Sequence, residues 1–596
     1  MSPMRPIPRA DTRTQFVRAA SLVTAALAAL VASVLMMDAS VQDGVDILDL
    51  VRALLIFVTT GWLAWGAMLA FAGILPLRRQ PAPELHSPQP ATVVLVPICN
   101  EDPICTFARV AAMDRSIREA GLNCDIAVLS DTREPAANDR ERAAFARLLE
   151  EADGAGRIYY RCRDNGRGRK AGNVEDFIRR SGGAYDLAVI LDADSLMEGS
   201  AIREMIARMQ ADPQLGLLQT LPRIVSARSF FGRAMQFASA FHGPVFTRGL
   251  ARMQGATGPF WGHNAIVRIR AFAESCGLPE LSGKPPFGGH ILSHDYVEAA
   301  LLARAGWKVQ VDGSIEGSYE EGPENVLSYA KRDRRWCQGN LQHIRLLGAP
   351  GLAPWSRFVF LQGIMAYLVS LFWAGFLLAS LAATVWAPAP DYFPDPHQLF
   401  PSFPSDRTKE ITALAVGIVG LLILPKFAIL AEAALTRRVR SFGSTARALV
   451  SVLAEILLTS LLAPVMLMYQ SRAVLQVLLR SDGGWPASNR AEGHLSIWQA
   501  MGASLWISFF GAATLLAVSW ISPDLTFWLL PVCVPMIAAP ILIAWSSRPL
   551  THALFRVPEE TSLPPVVSEY HRIVDRWIAP RRPEPDMMPE MADAAA

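Results

Sequence analysis

Apolar stretches long enough to cross a bilayer stand at both ends of this chain, around a middle of ordinary globular composition. The hydrocarbon core of a membrane takes about 20 apolar helical residues, so the ends read as membrane helices and the middle as a domain inserted between them. Of 596 residues, 51% are hydrophobic and 18% charged, where a soluble chain carries about 25% charge. The length exceeds what one hydrophobic core supports. A net charge of +2 without a basic tract points away from nucleic acid. The seven cysteines (Cys99, Cys105, Cys124, Cys162, Cys276, Cys337 and Cys533) form no CxxC pair. That excludes a disulfide scaffold or zinc ribbon and fits a reducing compartment.

Arginines orient the chain. The first apolar stretch, about Ala19 to Met37, follows Arg5, Arg9, Arg13 and Arg18. It is too long for a secretory signal and lacks a small-residue cleavage site. A second runs from about Leu54 to Leu75, after a linker holding Asp38, Asp43, Asp46 and Asp49 and before Arg78 and Arg79. The positive-inside rule then puts residues 1–18 and 77–354 in the cytoplasm, with two crossings in 19–76. Further crossings are expected at Phe358 to Trp386, Ile411 to Leu430, Met501 to Trp520 and Phe527 to Ala544, within 355–546, followed by a cytoplasmic tail over 547–596. Residues 446 to 468 are also apolar, but Arg472, Arg480 and Arg490 lie beyond them and Pro464 within. A re-entrant or interfacial element over 446–480 suits that pattern better than a crossing, giving six crossings, with seven or eight as the alternatives. Lys426 inside a crossing reads as a partnered or snorkelling lysine, or else as a pathway residue.

In the middle, strands are expected at Ala91 to Ile98, Cys124 to Ser130, Arg157 to Tyr160 and Leu187 to Leu191. Helical runs at Ile104 to Glu119, Glu141 to Glu151 and Asn173 to Arg180 alternate with them. That alternation implies an α/β, Rossmann-like, mostly parallel sheet, with ligands at the strand C-terminal ends. Asp192-Ala-Asp194 follows a buried strand there. Two such carboxylates can hold one divalent cation and through it a diphosphate, although acidic pairs in loops are usually just solvated. Gly166-Arg-Gly-Arg-Lys-Ala-Gly-Asn173 combines turn-forming glycines with cations suited to phosphate, or is a solvated charge run. Ser293-His294-Asp295, with Glu298 after it, offers a carboxylate to take a proton from a hydroxyl, or a helix N-cap. Arg332-Asp-Arg-Arg335-Trp336-Cys-Gln338 offers donors and an aromatic face for a sugar, or a positive-inside flank.

Together these motifs resemble the processive family-2 glycosyltransferases, which include cellulose and hyaluronan synthases. That family has an aspartate after its second strand, a lysine followed by Gly or Asn, Asp-x-Asp, Thr-Glu-Asp and Gln-x-x-Arg-Trp. Asp131, Lys170, Asp192 with Asp194, Asp295, and Arg335 with Trp336 stand in the same order here. The phrases Val96-Pro-Ile-Cys-Asn-Glu-Asp102, Trp261-Gly-His-Asn264, Leu292-Ser-His-Asp295 and Arg332-Asp-Arg-Arg-Trp-Cys-Gln-Gly339 are most similar to one branch. It builds the β-1,2-linked backbone of osmoregulated periplasmic glucans in Gram-negative bacteria. His294 replaces the family's Glu and Arg332 its Gln, which sets the acceptor side apart from a cellulose-type enzyme.

The resemblance implies a multi-pass inner-membrane protein with an inserted cytoplasmic GT-A domain. It implies a UDP-glucose donor, a growing glucan as acceptor, and Mg2+ or Mn2+. Asn100, Glu101 and Asp131 would meet the uracil side, Lys170 the diphosphate or uridine, and Asp192 the donor. Asp194 would be the more direct metal ligand and Asp295 the base. Gly262, His263 and Asn264 would shape the acceptor pocket, Trp336 would stack under the acceptor, and Arg332, Arg335 and Gln338 would hold phosphate or hydroxyls. The spans would pass the glucan outward, with a gating loop at 481–493 that contains Gly483, Gly484 and Trp485. Acyl carrier protein and a periplasmic glucan-processing protein are further expected partners. The alternatives are a cellulose- or hyaluronan-type synthase, a transferase charging a lipid-linked sugar, and a transporter with a regulatory sugar-nucleotide domain.

Overall fold

The computed structural model describes residues 6–40, 45–75, 81–386, 400, 408–481, 493–551 and 553–579. Arg78, Arg79, Arg490 and nearly all of the expected gating loop, including Gly483, Gly484 and Trp485, lie outside these residues.

Ten strands build the middle domain: β1 Thr92–Ile98, β2 Cys124–Ser130, β3 Ile158–Cys162, β4 Leu187–Ile190, β5 Leu196–Met197, β6 Leu215–Thr220, β7 Arg223–Val225, β8 Ala265–Arg268, β9 Lys308–Asp312 and β10 Ser318–Glu321. Seven form one sheet in the order β3-β2-β1-β4-β8-β6-β9. Only β8 runs antiparallel, to both β4 and β6, so the sheet is mostly parallel as expected. A small sheet, β5-β10-β7, adjoins it. Every residue of β1 is buried, as in a parallel strand covered on both faces. Alternate side chains split between two cores: Val94, Val96 and Ile98 face one, Val93 and Leu95 the other.

Two helix starts differ from expectation. The helix after β2 begins at Pro135, six residues early, because proline suits the first helical position. The helix expected from Asn173 begins at Arg169 and takes in most of the glycine-rich run.

Among the described residues, six helices are long and apolar enough to cross a membrane: Thr12–Asp38, Ile47–Ile74, Pro354–Val385, Lys409–Leu435, Thr445–Leu478 and Ile497–Ile521. The pair Leu525–Ile537 and Ala539–Ser546 makes a seventh if its 56° bend is taken as one span; Pro531 and Pro535 lie in its first half. Residues 445–478 form one continuous helix of 34 residues despite Pro464, so no chain reversal occurs there. Both parts of that helix touch the middle domain or the C-terminal segment. Ser451 Oγ accepts from the Phe555 amide at 3.2 Å, and Glu455 lies 3.9 Å from His242. Near the other end, Gln470 Nε2 donates to Asp333 at 3.1 Å and Arg334 Nε to Gln476 Oε1 at 2.9 Å. Lys426 is partnered: its Nζ donates to both Glu455 oxygens at 2.7 and 2.6 Å.

The C-terminal segment carries structure of its own. Its helix Pro565–Ile578 packs Val567, Tyr570, Ile573 and Trp577 into the core beneath β1.

Candidate active site

On one side of the cleft, β2 ends at Ser130 and delivers Asp131. Arg163, just past β3, forks it, with Nε and Nη2 at 2.6 and 2.7 Å from the two carboxylate oxygens. The side chains are only 7% (Arg163) and 9% (Asp131) exposed, which makes this a strong, geometrically fixed pair. After β1, Asn100 takes a left-handed φ of 63° and its amide donates to Thr132 Oγ1 at 2.8 Å. Glu101 accepts from the Cys99 amide. Asn100 and Glu101 thus stand beside Asp131. Arg163 belongs to the same group and was not anticipated from sequence.

The glycine-rich run is a helix start. Gly168, at φ 70°, precedes the helix, and a Cβ on Gly172 would sit 2.1 Å from the Arg167 carbonyl oxygen. Lys170 therefore rides in the first turn. Its ammonium pairs with Asp192 and donates to the Gly262 carbonyl at 2.7 Å.

Asp192 and Asp194 occupy the link between β4 and β5. The Asp192 amide donates to Ser195 Oγ at 3.0 Å, and Asp194 is buried. Behind them Arg109 donates to the Ala193 carbonyl at 3.3 Å and pairs with Glu321 of β10 at 2.6 Å. Next to Glu321, Glu320 lies 3.6 Å from His263 Nε2. Burial, with help from Asp194 and Asp192, raises the Glu320 pKa against the pull of His263 and Arg332. Arg109, Glu320 and Glu321 were also missed. Two adjacent glutamates on a strand were the available signal for the last two.

The opposite side begins at the helix His294–Arg304. Its N-cap is Ser293, so Asp295 lies in the first turn instead of capping it. Gly262, at φ 85°, abuts Asp295: a Cβ there would lie 3.6 Å from the Asp295 Cβ. Burial raises the Asp295 pKa, with His294 acting the other way. His294 Nδ1 is 3.0 Å from buried Glu298. Burial opposes the charge on His294, but Glu298 outweighs it and raises the imidazole pKa.

Helix Val326–Gln342 closes this side. A Cβ on Gly339 would fall 2.2 Å from Ser293 Oγ, so only glycine lets the two helices meet. Arg332 stacks over the Trp336 ring at 4.5 Å, and the indole is 42% exposed. Arg335 is half-buried. Gln338 is buried, with Oε1 accepting from Arg334 at 3.4 Å. Asn264 is wholly buried, and its amide nitrogen donates to Ser318 Oγ at 2.8 Å and the Tyr319 carbonyl at 3.2 Å. It ties β8 to β10. Lys170, Asp192, Gly262 and Asp295 therefore form one contiguous wall, and His263, Glu320, Arg332 and the acid pair a second group, while Asn264 and Gln338 point into the protein.

The carboxylates of the acid pair are hard oxygen donors. Among the described residues no three His, Cys, Asp or Glu side chains converge as a protein-only cage. The carboxylate chemistry fits a divalent cation held by one or two carboxylates and completed by substrate phosphates.

A mostly parallel sheet with this acid pair at its strand ends, set between membrane helices, defines a membrane glycosyltransferase. Residues 187–545 match the family model "Glycosyl transferase family group 2", and residues 93–275 match "Glycosyl transferase family 2". The chain is 55% identical over 592 residues to the glucans biosynthesis glucosyltransferase H of Cereibacter sphaeroides, covering 98% of this chain and 99% of that protein. It is 39% identical over 554 residues to the glucosyltransferase H of Rhodopseudomonas palustris, covering 89% and 76%. The chain belongs to glycosyltransferase family 2 and, within it, to the family of these glucosyltransferase H proteins. It is a multi-pass inner-membrane glycosyltransferase, and its family implies dependence on a divalent cation.

Proposed function

We propose that this enzyme is a processive, inverting glucosyltransferase that uses UDP-glucose to build the β-1,2-linked backbone of osmoregulated periplasmic glucans and passes it across the inner membrane. The observation that carries the reading is the wall Lys170–Asp192–Gly262–Asp295, which sets a cationic, carboxylate-lined end against a candidate base.

Asp131, with Asn100 and Glu101 beside it, holds the uracil side of the donor, and Arg163 fixes the carboxylate. Lys170 turns from Asp192 to the diphosphate. Asp194, with Asp192, would hold Mg2+ or Mn2+, which when bound would supply charge neutralisation for the departing UDP. Asp295 removes the proton from the acceptor hydroxyl as that oxygen attacks the anomeric carbon. Attack opposite the leaving UDP converts an α-linked donor into a β linkage. Trp336 carries the acceptor ring, Arg332 and Arg335 hold sugar hydroxyls or the donor phosphate, and Gly262 and His263 shape the pocket. Asn264 and Gln338 support that pocket from within.

The helix Val326–Gln342 also joins the membrane part. Asp333 accepts from Tyr367 Oη at 3.2 Å and from Gln470 at 3.1 Å. In this reading Thr445–Leu478 lies along the membrane surface against the domain, residues 481–493 beyond it gate the exit, and six segments cross. Acyl carrier protein and a periplasmic glucan-processing protein are partners to test by co-purification.

The test is incubation of the purified full-length enzyme in nanodiscs with Mg2+ and, separately, UDP-glucose, UDP-galactose and UDP-N-acetylglucosamine, followed by linkage analysis. UDP release from UDP-glucose with 1,2-linked product is expected. A 1,4-linked glucan would move the enzyme to the cellulose type. No UDP from any sugar nucleotide would favour a transporter.

A further inference from the structure

The segment after the last membrane helix returns to the catalytic domain and runs along the small sheet. Pro549 forms an antiparallel bridge with Ser229. Glu559 pairs with Arg223 of β7 at 2.6 Å. Helix Pro565–Ile578 then crosses beneath helix Pro103–Glu119 and meets Arg109.

Arg109 is an odd residue for its place. A helix packed on a sheet turns apolar residues inward, yet this arginine is 6% exposed in the middle of the buried face. A buried cation is costly unless its charge and its donors are matched. Three separate elements meet this one, although its Nε is buried without a hydrogen-bond partner. Nη1 donates to the Ala193 carbonyl at 3.3 Å, Nη2 is 2.6 Å from Glu321 of β10, and the Tyr570 ring lies 4.7 Å from the guanidinium carbon. Burial opposes the charge, but Glu321, with Tyr570 and Asp194, outweighs it and keeps the guanidinium charged. Ala193 is the residue between the two acid-pair carboxylates. One arm of the planar fork therefore holds the backbone that aims Asp192 and Asp194, while the other arm on Glu321 and the Tyr570 ring fix the plane of the fork.

We infer that Arg109, stacked on Tyr570, is a positioning residue for the Asp192-Ala193-Asp194 turn, so that the C-terminal strap is a working part of the donor site. This rests on the reading of the acid pair as the cation and donor site. Lysine cannot replace the fork, because a single ammonium lacks the rigid divergent donors. Phenylalanine can replace Tyr570, because the stacking face is kept.

The experiment uses the full-length enzyme in nanodiscs with Mn2+ as probe, its free concentration read by electron paramagnetic resonance in the presence of UDP. Melting temperature and UDP-release kinetics accompany it. Arg109→Lys and Tyr570→Ala are expected to weaken Mn2+ binding and lower kcat about tenfold each, as loss of a group that orients a metal ligand does. Tyr570→Phe keeps wild-type Mn2+ affinity. Ile573→Ala, on the same helix, lowers the melting temperature without changing that affinity. Unchanged Mn2+ affinity in Arg109→Lys overturns the inference. So does an equal loss in Ile573→Ala, which would reduce the strap to general packing. Asp194→Asn separates the two levels. Loss of Mn2+ binding there, with none lost in Arg109→Lys, defeats the positioning role alone. Retention of Mn2+ binding in Asp194→Asn defeats the reading of the acid pair itself.

Discussion

The two sides of the cleft hold their polar groups in opposite ways. On the donor side cations and carboxylates are already matched: Asp131 by Arg163, Asp192 by Lys170, Glu321 by Arg109. On the acceptor side an indole stands 42% exposed with a guanidinium laid on its face. The difference follows from what each side handles in the proposed reaction. UDP-glucose is compact and charged, arrives and leaves once per cycle, and needs preset charges that exchange partners at little reorganisation cost. A glucan is neutral and must slide by one sugar per cycle. A flat aromatic face suits it, because stacking tolerates translation where a fixed ion pair does not.

The sharpest way to break this comparison is at the base. Asp295→Asn should lower kcat for UDP release about a thousandfold, within the range for loss of a general base. Binding of UDP-glucose, measured by titration, should stay near wild type, because Asp295 belongs to the acceptor side. Unchanged UDP release would remove Asp295 from the mechanism. Lost donor binding would show that the two sides are not separable at the Gly262 contact.

On the donor side, Arg163→Ala leaves a carboxylate that is 9% exposed without its partner. Breaking a buried pair costs about 3–5 kcal/mol, so the melting temperature should drop clearly and KM for UDP-glucose should rise. The double change Arg163→Ala with Asp131→Ala should recover much of the melting temperature but not the donor affinity. Recovery of both would make the pair structural only.

On the acceptor side the expected effect is smaller. Trp336→Ala removes an aromatic face worth about 1 kcal/mol, so products should shorten and initiation on added oligosaccharide should weaken roughly fivefold, with single-turnover donor cleavage little changed. Trp336→Phe should keep most of the product length by size-exclusion analysis.

The same contrast explains how much was legible in the sequence. Donor-side groups sit at strand ends, and strands declare themselves by short apolar runs. Cys124–Ser130 was placed to the residue, and Thr92–Ile98 and Leu187–Ile190 to within one. The partners of those groups were not legible. Arg109 carries no sequence signal of burial, and its stacking partner Tyr570 lies more than four hundred residues away. Arg163 stands just before the glycine-rich run, and nothing in the sequence marks it as the partner of Asp131. The turn chemistry also misled: Gly166 to Asn173 suggested a loop, whereas Gly168 supplies the left-handed residue before a helix that starts at once. In the membrane part, composition found each apolar stretch but did not distinguish a crossing from a helix lying on the domain. The contacts of Gln470, Gln476 and Glu455 show that Thr445–Leu478 keeps the catalytic domain beside it.

The smallest effect should fall on the acidic limb of the pH–rate profile. In the proposed reaction Asp295 works only as a carboxylate, and burial raises its pKa while His294 pulls it down. The acidic limb of kcat should therefore lie above the ordinary aspartate value of about 3.9. His294 is itself raised, chiefly because Glu298 at 3.0 Å outweighs burial, with Lys170 opposing from the neighbouring helix. The stabilisation from that pair is full below the unfolded imidazole value of about 6.5 and is lost as pH rises through the folded one. His294→Gln removes the cation and leaves the Glu298 charge behind Asp295, and both changes push the Asp295 pKa upward. The limb should shift to higher pH, so that the variant loses more activity at pH 6 than at pH 8, where Asp295 is ionised in both proteins. UDP release followed from pH 5 to 9 measures this directly. A limb that stays in place would mean that His294 holds the helix start without sensing the base, and the charge separation drawn here between the two sides would have to be redrawn around Glu298.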